Sequence, residues 1–508
     1  MIPLQIIAGY LILLIVLGVV CGRLFKGTAK DYFLASHSIG PIVLLMSIFG
    51  TTMTAFALVG STGQAYKSGI GVYGLMASWS GLIHSAVFFL VGIKIWALGK
   101  KHGYLTQIEF FRERFNSNGL GYLLFPILVG LVIPYLLIGL VGAEKIVEVL
   151  TKGAFPDLFT ESAKFKGGIP PWITGLVIST VVLGYVFFGG IRATAWANTF
   201  QTAVFMVMGF LAFWLIADKL GGLGEAIKNV AVDKTTRVDM DKWKFASYLF
   251  VPLSVGMFPH LFQNFLTAKS SKTFKLSVIA HPVFIMLTWV PCILIGIWAT
   301  SAMLDGKPVI PGIFMNNGQE NAVLGFMIGK LTSPVITGLV GAGILAAIMS
   351  SLDSQFLCMG TIFTNDIVFH KYGKDKFTEK QQIMIARGFI VLIVLITYFL
   401  SLGTEKSIFS LAVWCFSGFA GLFPLIFSAI YWKGATKAGA FASVSVTALV
   451  WFYLFRESGY ASTEYLLWDK VMPVVGIFVA SAVSLIIVSL LTQKPDEETL
   501  NKFFPKAK

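Results

Sequence analysis

Long apolar runs alternate with short polar or glycine- and proline-rich breaks along almost the whole chain. A helix needs roughly 20 mostly apolar residues to cross the hydrocarbon core of a bilayer. By that measure the pattern predicts thirteen spans, at about 4–22, 39–63, 70–97, 120–150, 171–190, 194–218, 245–267, 276–303, 334–368, 383–402, 407–432, 437–455 and 472–492. Only Gly189, Gly190, Ile191 and Arg192 separate the fifth span from the sixth, whereas every other break carries a charged or Pro/Gly-rich loop. The longest stretches between spans, about 151–170, 219–244, 304–333 and 369–382, are too short to bury cores of their own.

Composition sharpens this picture. The 508 residues are 56% apolar and 13% charged, against about 25% charged for a soluble chain. A soluble enzyme and a disordered protein are thereby excluded. The formal charge of +14 does not mark a nucleic-acid binder, because the basic residues sit between apolar runs and form no patch. Their distribution orients the spans instead. With the N-terminus outside and the C-terminus in the cytoplasm, 23 of the 39 Lys and Arg fall inside, Arg23, Lys26 and Arg192 among them. The run before Arg23 has no basic segment ahead of it and reads as a retained first span, not a cleaved signal. Cys21, Cys292, Cys358 and Cys415 all lie in apolar runs with no CxxC pair, which predicts neither disulfides nor a zinc site. The expected setting is the cell's inner (plasma) membrane, with the lipid bilayer as solvent and no obligatory protein partner.

Two spans are interrupted in a way that a plain anchor is not. The second carries Gly50, Thr51, Thr52, Met53 and Thr54 at its middle, and the seventh carries Pro252, Gly256 and Pro259 within eight residues. Broken helices of this kind free backbone carbonyls near the bilayer midplane, where solutes and ions bind. Five spans separate the two starts, the spacing of the first helices of two inverted five-helix repeats. The bland alternative is a pair of kinked helices with no ligand. The ninth span adds Ser350, Ser351, Asp353 and Ser354 within about a turn and a half. A carboxylate at mid-span costs several kcal/mol unless a cation or a partner compensates it, and hydroxyl, carboxylate and carbonyl oxygens suit a small hard cation. A Na⁺ site shared between this serine turn and the break in the second span follows; its alternative is a structural polar cluster. Gly69, Gly71 and Gly74 satisfy GxGxxG, but no strand precedes them, so a dinucleotide fingerprint is rejected.

Five segments in order resemble one known family. Asp31-Tyr32-Phe33-Leu34-Ala35-Ser36-His37-Ser38-Ile39-Gly40 is similar to its opening motif, DYFLAGRSLG, with Ser36 and His37 in place of Gly and Arg. Gly189-Gly190-Ile191-Arg192-Ala193 with Gln201, Pro259-His260 with Phe265–Lys269, Ala346–Ser351, and Pro424 with Tyr431-Trp432-Lys433 and Gly439-Ala440 resemble the other four. The chain therefore resembles the sodium:solute symporter family over most of its length. The resemblance implies an all-α polytopic membrane protein of about thirteen transmembrane helices with a LeuT-type 5+5 inverted-repeat core. The implied layout is a first helix and cytoplasmic loop at 1–38, repeats at 39–218 and 219–432, and two accessory helices with a short tail at 433–508. It also implies Na⁺ as coupling ion, held by the carbonyls of Gly50, Met53 and Ala347 and the hydroxyls of Ser350 and Ser351.

Two departures from the family pattern carry information. Where many members have Asp in the sixth span this chain has Asn198, while the ninth span gains Asp353; Asn198, Asp353 and Ser354, with Ser350, form a candidate second cation site. Its alternative is an Asp353–Asn198 hydrogen bond, or a proton carrier with no bound sodium. Thr52 replaces the Asp of proline-transporting relatives, and Val251 and Val255 replace their Trp and Tyr, which disfavours proline. The expected function is sodium-coupled import of a small organic solute, carboxylate-bearing, such as an organic acid, amino acid or vitamin. Thr52, Thr54, Tyr135, Val251, Val255, Trp414 and Ser417 are the candidate pocket residues. The rival readings are a proton-coupled symporter using Asp353 and a transport-inactive solute sensor. No enzymatic constellation is present.

Overall fold

The computed structural model describes residues 1–22, 28–159, 167–237, 240–311, 319–462 and 464–504. Arg23 and Lys26, used above to orient the chain, lie outside the described residues. The fold is helical apart from a two-stranded hairpin, β1 (Met303–Leu304) and β2 (Lys307–Pro308), paired antiparallel with Met303 opposite Pro308. In chain order the helices begin with α1 (Ile2–Gly22), the short α2 (Ala29–Leu34), α3 (Pro41–Thr52), α4 (Phe56–Ser68) and α5 (Gly71–His102). The short α6 (Gln107–Arg114), α7 (Asn118–Leu150), α8 (Pro171–Phe187) and α9 (Gly189–Lys219) follow. After two short helices at Leu223–Lys228 and Val232–Thr235 come α10 (Lys242–Gly256), α11 (Pro259–Thr267), α12 (Ser271–Trp298), α13 (Val323–Leu331) and α14 (Pro334–Tyr372). The chain closes with α15 (Glu379–Ser401), α16 (Ile408–Tyr431), α17 (Lys437–Glu457), α18 (Pro473–Leu491) and α19 (Glu497–Phe503).

Among the described residues ten helices are long and apolar enough to cross a membrane, or twelve if each of two bent pairs is one span. The expected count of thirteen also included 171–190, where α8 and α9 form one continuous helical run, Pro171–Lys219, kinked at Gly190. The cause is local. Gly190 has φ +56, which takes the backbone out of helical geometry before Arg192, and a Cβ there would lie 2.7 Å from the Tyr32 carbonyl oxygen. Polar stretches read as loops also hold helices: α6 within 98–119, α13 within 304–333, and α19 in the tail.

The two bent pairs are α3/α4, at 59°, and α10/α11, at 53°. α3 starts where extended Gly40 precedes Pro41, whose missing N–H costs nothing at a helix start. It stops at Met53, with ψ 86, after Thr51 and Thr52 have turned their hydroxyls back to the Ile48 and Phe49 carbonyls. In α10 the last nine residues, Tyr248–Gly256, wind tightly around Pro252, which cannot donate to the helical ladder. Phe258 is extended, and Pro259 restarts the chain as α11.

Burial ranks the layers. α14 and α16 are 83% and 89% buried over their apolar windows, whereas α1 and α18 are 22% and 28% buried and turn most of their surface to lipid. Leu82, Phe89, Leu449, Phe452 and Leu490 are among the large apolar side chains on the outer surface, where hydrocarbon replaces water as solvent. At one end of the molecule Asp31 of α2 pairs with Arg192 of α9 at 2.6 Å, and Arg192 also donates to the Ala35 carbonyl at 2.8 Å. Two of the family-like segments thus meet at the α8/α9 kink.

Gly190→Ala is expected to lower the thermal midpoint of the purified protein by several degrees, because a positive φ alone costs a Cβ about 1 kcal/mol. Gly130→Ala in α7, where a Cβ meets nothing within 4 Å, is the control and should leave the midpoint unchanged or raise it.

Candidate functional site

The break after α3 lies against the middle of α14. Ser350 Oγ sits 2.8 Å from the Gly50 carbonyl oxygen and 2.9 Å from that of Ala347. A hydroxyl has one proton to donate, so only one of these contacts is a hydrogen bond at any moment. The other sets two oxygens, lone pair to lone pair, inside a fully buried site. Such a knot of oxygens with too few protons is an environment in which a small cation is favoured. Glycine at position 50 allows the approach: a Cβ there would lie 2.3 Å from Thr202 Oγ1 and 3.4 Å from Ser350 Oγ. Of the five residues expected at the main sodium site, Gly50, Ala347 and Ser350 are brought together directly. Met53 caps α3, its amide still bonded to the Phe49 carbonyl at 3.0 Å, and Ser351 accepts from Gln355 Nε2 at 2.6 Å, one residue further along the same turn of α14.

One turn further along the same face α14 meets α8 and α9. Asp353 accepts from Tyr185 Oη at 3.1 Å and from Ser354 Oγ at 3.1 Å. The Asn198 amide, oriented with its nitrogen toward the carboxylate, donates to Asp353 Oδ2 at 3.0 Å and to Gln201 Oε1 at 3.1 Å, and its oxygen lies 2.9 Å from Ser354 Oγ, competing with Asp353 for the one hydroxyl proton. The reverse orientation would set the amide oxygen against the carboxylate. Asn198, Asp353 and Ser354 are therefore gathered as a unit, and all of the neighbours just named are uncharged. Tyr185 was missed from sequence because an isolated Tyr in an apolar run reads as packing. Gln201 had a signal, since it lies one turn after Asn198 on the same helix face.

The residues expected to wall a solute pocket divide. Tyr135 lies at the centre, its ring 5.0 Å from Phe258, 5.5 Å from His260 and 5.1 Å from Phe416. Phe56, the first residue of α4, packs on Phe416 at 5.3 Å. An aromatic cluster thus joins both helix breaks to α7 and α16. Val251 and Val255 are buried in the tight winding of α10. Thr52 donates to the Phe49 carbonyl at 2.8 Å, and Thr54 Oγ1 accepts from the Phe56 amide at 3.0 Å. Trp414 is not brought to this cluster: its indole donates to the Ser462 carbonyl at 2.9 Å and its ring packs against Phe455 and Tyr465. Ser417 donates to the Val413 carbonyl of its own helix at 2.6 Å. Residues 414 and 416 lie about 200° apart around a helix, so α16 presents Phe416 to the centre and Trp414 to the accessory helices.

Both ends of the path between the broken helices are bridged. At the end carrying α6, Thr106 Oγ1 donates to Asp366 at 2.6 Å, Arg112 pairs with the same carboxylate at 3.3 Å, and Gln107 donates to the Met257 carbonyl at 3.3 Å. At the other end Lys67 faces Glu320 at 3.9 Å, and Asn321 bridges the Lys406 carbonyl and the Ile408 amide at 3.3 and 3.2 Å.

This architecture and sequence match proteins already known. A profile of the sodium:solute symporter family matches residues 32–446. The chain is 26% identical to a sodium/proline symporter of Staphylococcus aureus (strain NCTC 8325 / PS 47), covering 98% of this chain and 94% of the relative. Its fold matches a Na⁺-coupled sialic acid symporter in a substrate-bound outward-open state with a TM-score of 0.77 at 20% identity, over 98% and 99% of the two chains. A nucleobase-cation-symport-1 family transporter in a closed conformation, with bromovinylhydantoin bound, matches with a TM-score of 0.56 at 16% identity, over 93% and 97%. The fold is the LeuT type. The profile match over most of its length identifies the chain as a member of the sodium:solute symporter family, multi-pass membrane transporters whose coupling ion is Na⁺.

Proposed function

We propose that this protein imports a small carboxylate-bearing organic solute by Na⁺ symport across the plasma membrane, with its N-terminus outside. The observation that carries the sodium site is Ser350, whose single proton serves two carbonyl oxygens at 2.8 and 2.9 Å. In this reading Gly50, Met53, Ala347, Ser350 and Ser351 hold the ion between the broken helix and α14. Residues 39–218 and 219–432 act as inverted repeats, each opening on one of the bent pairs. Sodium binding draws α14 against the α3 break and orders the solute pocket beside it. A membrane potential of 100 mV contributes about 2.3 kcal/mol per translocated charge, or roughly 50-fold in solute concentration. Linkage requires sodium and solute to raise each other's affinity by the same factor.

A second cation enters the reading through Asp353. Its neighbours Tyr185, Ser354 and Asn198 supply hydrogen bonds but no positive charge, so the ionised carboxylate calls for a second Na⁺ or a proton. Both are consistent with the same cluster, and they differ in how the site answers to Na⁺ and to pH.

Thermal unfolding in NaCl against matched KCl checks the main site. Wild type is expected to gain stability specifically from Na⁺, by about 2.7 kcal/mol when Na⁺ reaches roughly 100 times its dissociation constant. Ser350→Ala and Ser351→Ala should each remove most of that gain while their midpoints in KCl report any separate loss of stability. No Na⁺-specific gain in wild type would refute the sodium reading.

Asp353→Asn should keep part of the Na⁺-dependent gain if Asp353 holds a second sodium. The proton alternative is instead supported if uptake is pH-dependent, indifferent to Na⁺, and abolished by the same substitution.

A further inference from the structure

The two helix breaks each place a helix N-terminus at the centre of the molecule, and the N-terminus of a helix favours negative charge. They are not equally available. At the start of α4 the Phe56 amide is already bonded to Thr54 Oγ1 at 3.0 Å, and the Ala57 amide to the Thr54 carbonyl at 3.0 Å. Thr52, one turn earlier, donates to the Phe49 carbonyl at 2.8 Å. Thr52 thus spends its proton on its own helix, while Thr54 spends a lone pair on the α4 amide and keeps only its O–H to offer a ligand.

The start of α11 shares one of these contacts, since the Leu261 amide bonds back to the Phe258 carbonyl at 3.1 Å, and differs in its cap and its first two residues. Its cap residue is Phe258, which has no side-chain oxygen to offer, and Pro259 at the first position removes one amide altogether. The next residue is His260, 2% exposed, with neither ring nitrogen hydrogen-bonded. Its ring stacks on Phe258 at 5.4 Å and stands 5.5 Å from Tyr135, so it lies in the aromatic cluster joining the two breaks. A buried imidazole without partners is costly; a ligand that accepts its N–H removes the cost. Beyond the cluster, past Phe409, which packs on Phe56 at 5.3 Å, lies a cavity of about 320 Å³. Lys67, Lys234, Arg237 and Lys244 line it against Asp233 and Glu464, an approach biased toward anions.

We propose that the solute's carboxylate is seated at the N-terminus of α11, accepting from the His260 imidazole, and not at the threonines of the α3/α4 break. The proposal rests on the reading of the solute as carboxylate-bearing and moves its charged end from one broken helix to the other. The aromatic rings of Tyr135, Phe258 and Phe416 enclose the apolar body.

The test is uptake into proteoliposomes, with and without an inward Na⁺ gradient, of acetate, pyruvate and L-proline, each beside its amide. Wild type should take up at least one carboxylate and discriminate against the corresponding amide. His260→Phe should raise KM by about tenfold or more, the loss expected for a charge-assisted hydrogen bond in a dry site. His260→Gln, which retains an N–H, should recover part of it, and Thr54→Ala should change KM by less than about twofold. The Na⁺-dependent thermal shift should be the same in all variants, and His260→Met replaces His260→Phe if the latter gives no shift. The proposal is overturned if KM is indifferent to the loss of His260, if Thr54→Ala alone raises it, if amides are taken up as well as acids, or if no carboxylate is taken up. Uptake that depends on His260 but not on Na⁺ would remove the sodium reading and leave this one intact. Na⁺-driven uptake of a carboxylate that ignores His260 would do the reverse.

Discussion

In hydrocarbon a carbonyl that leaves its helix has no water to turn to, and this constraint organises the centre of the molecule. α3 ends at Thr52, and the Gly50 carbonyl released there is answered by Ser350, which reaches across from α14, while Thr51 and Thr52 bond backward onto carbonyls still inside the helix. That arrangement requires glycine at position 50, because any side chain would run into Thr202. The same constraint acts on Asp353, whose charge no lipid can stabilise and which is wrapped by Tyr185, Asn198 and Ser354. One face of α14 thus carries two oxygen-rich sites a turn apart, at Ser350 and at Asp353, and α9 borders both.

The ends of the molecule are joined to this centre by short segments that hydropathy treats as loops. α6 grips α14 through Asp366 and touches the second break through Gln107 and the Met257 carbonyl. Parting α11 from α14 at this end therefore means breaking contacts made by α6. That helix is held in turn by α19: Phe503 packs between Tyr104 and Phe110, and Lys502 pairs with Glu113. The Asp31–Arg192 pair does the same for the kink at Gly190.

What was legible in the sequence was what offends the membrane. Gly50 with its threonines, Pro252 and Pro259, the Ser350–Ser354 turn and the exchange of Asp353 for Asn198 stand out because polar and helix-breaking residues are expensive in an apolar run. The segments they mark do meet in space. Direction was harder to read, because it depends on the rotation of each helix and an enclosed helix such as α16 has no solvated polar face to reveal it. Trp414 was chosen over Phe416 for its chemistry, yet about 200° of helix separates them. His260 read as part of a kink, since nothing in one dimension shows that an imidazole has no partner. α6 and α19 escaped because their contacts join segments remote in sequence and their apolar faces are only a few residues long.

The bond between Ser350 and Gly50 spans 300 residues of chain. A ribosome adding 5–20 residues per second needs roughly 15–60 s to make that interval. For all of that time the first broken helix is in the bilayer without the hydroxyl that will cover it. The α3 break is thus made long before its partner exists, and it is closed only once α14 packs against it.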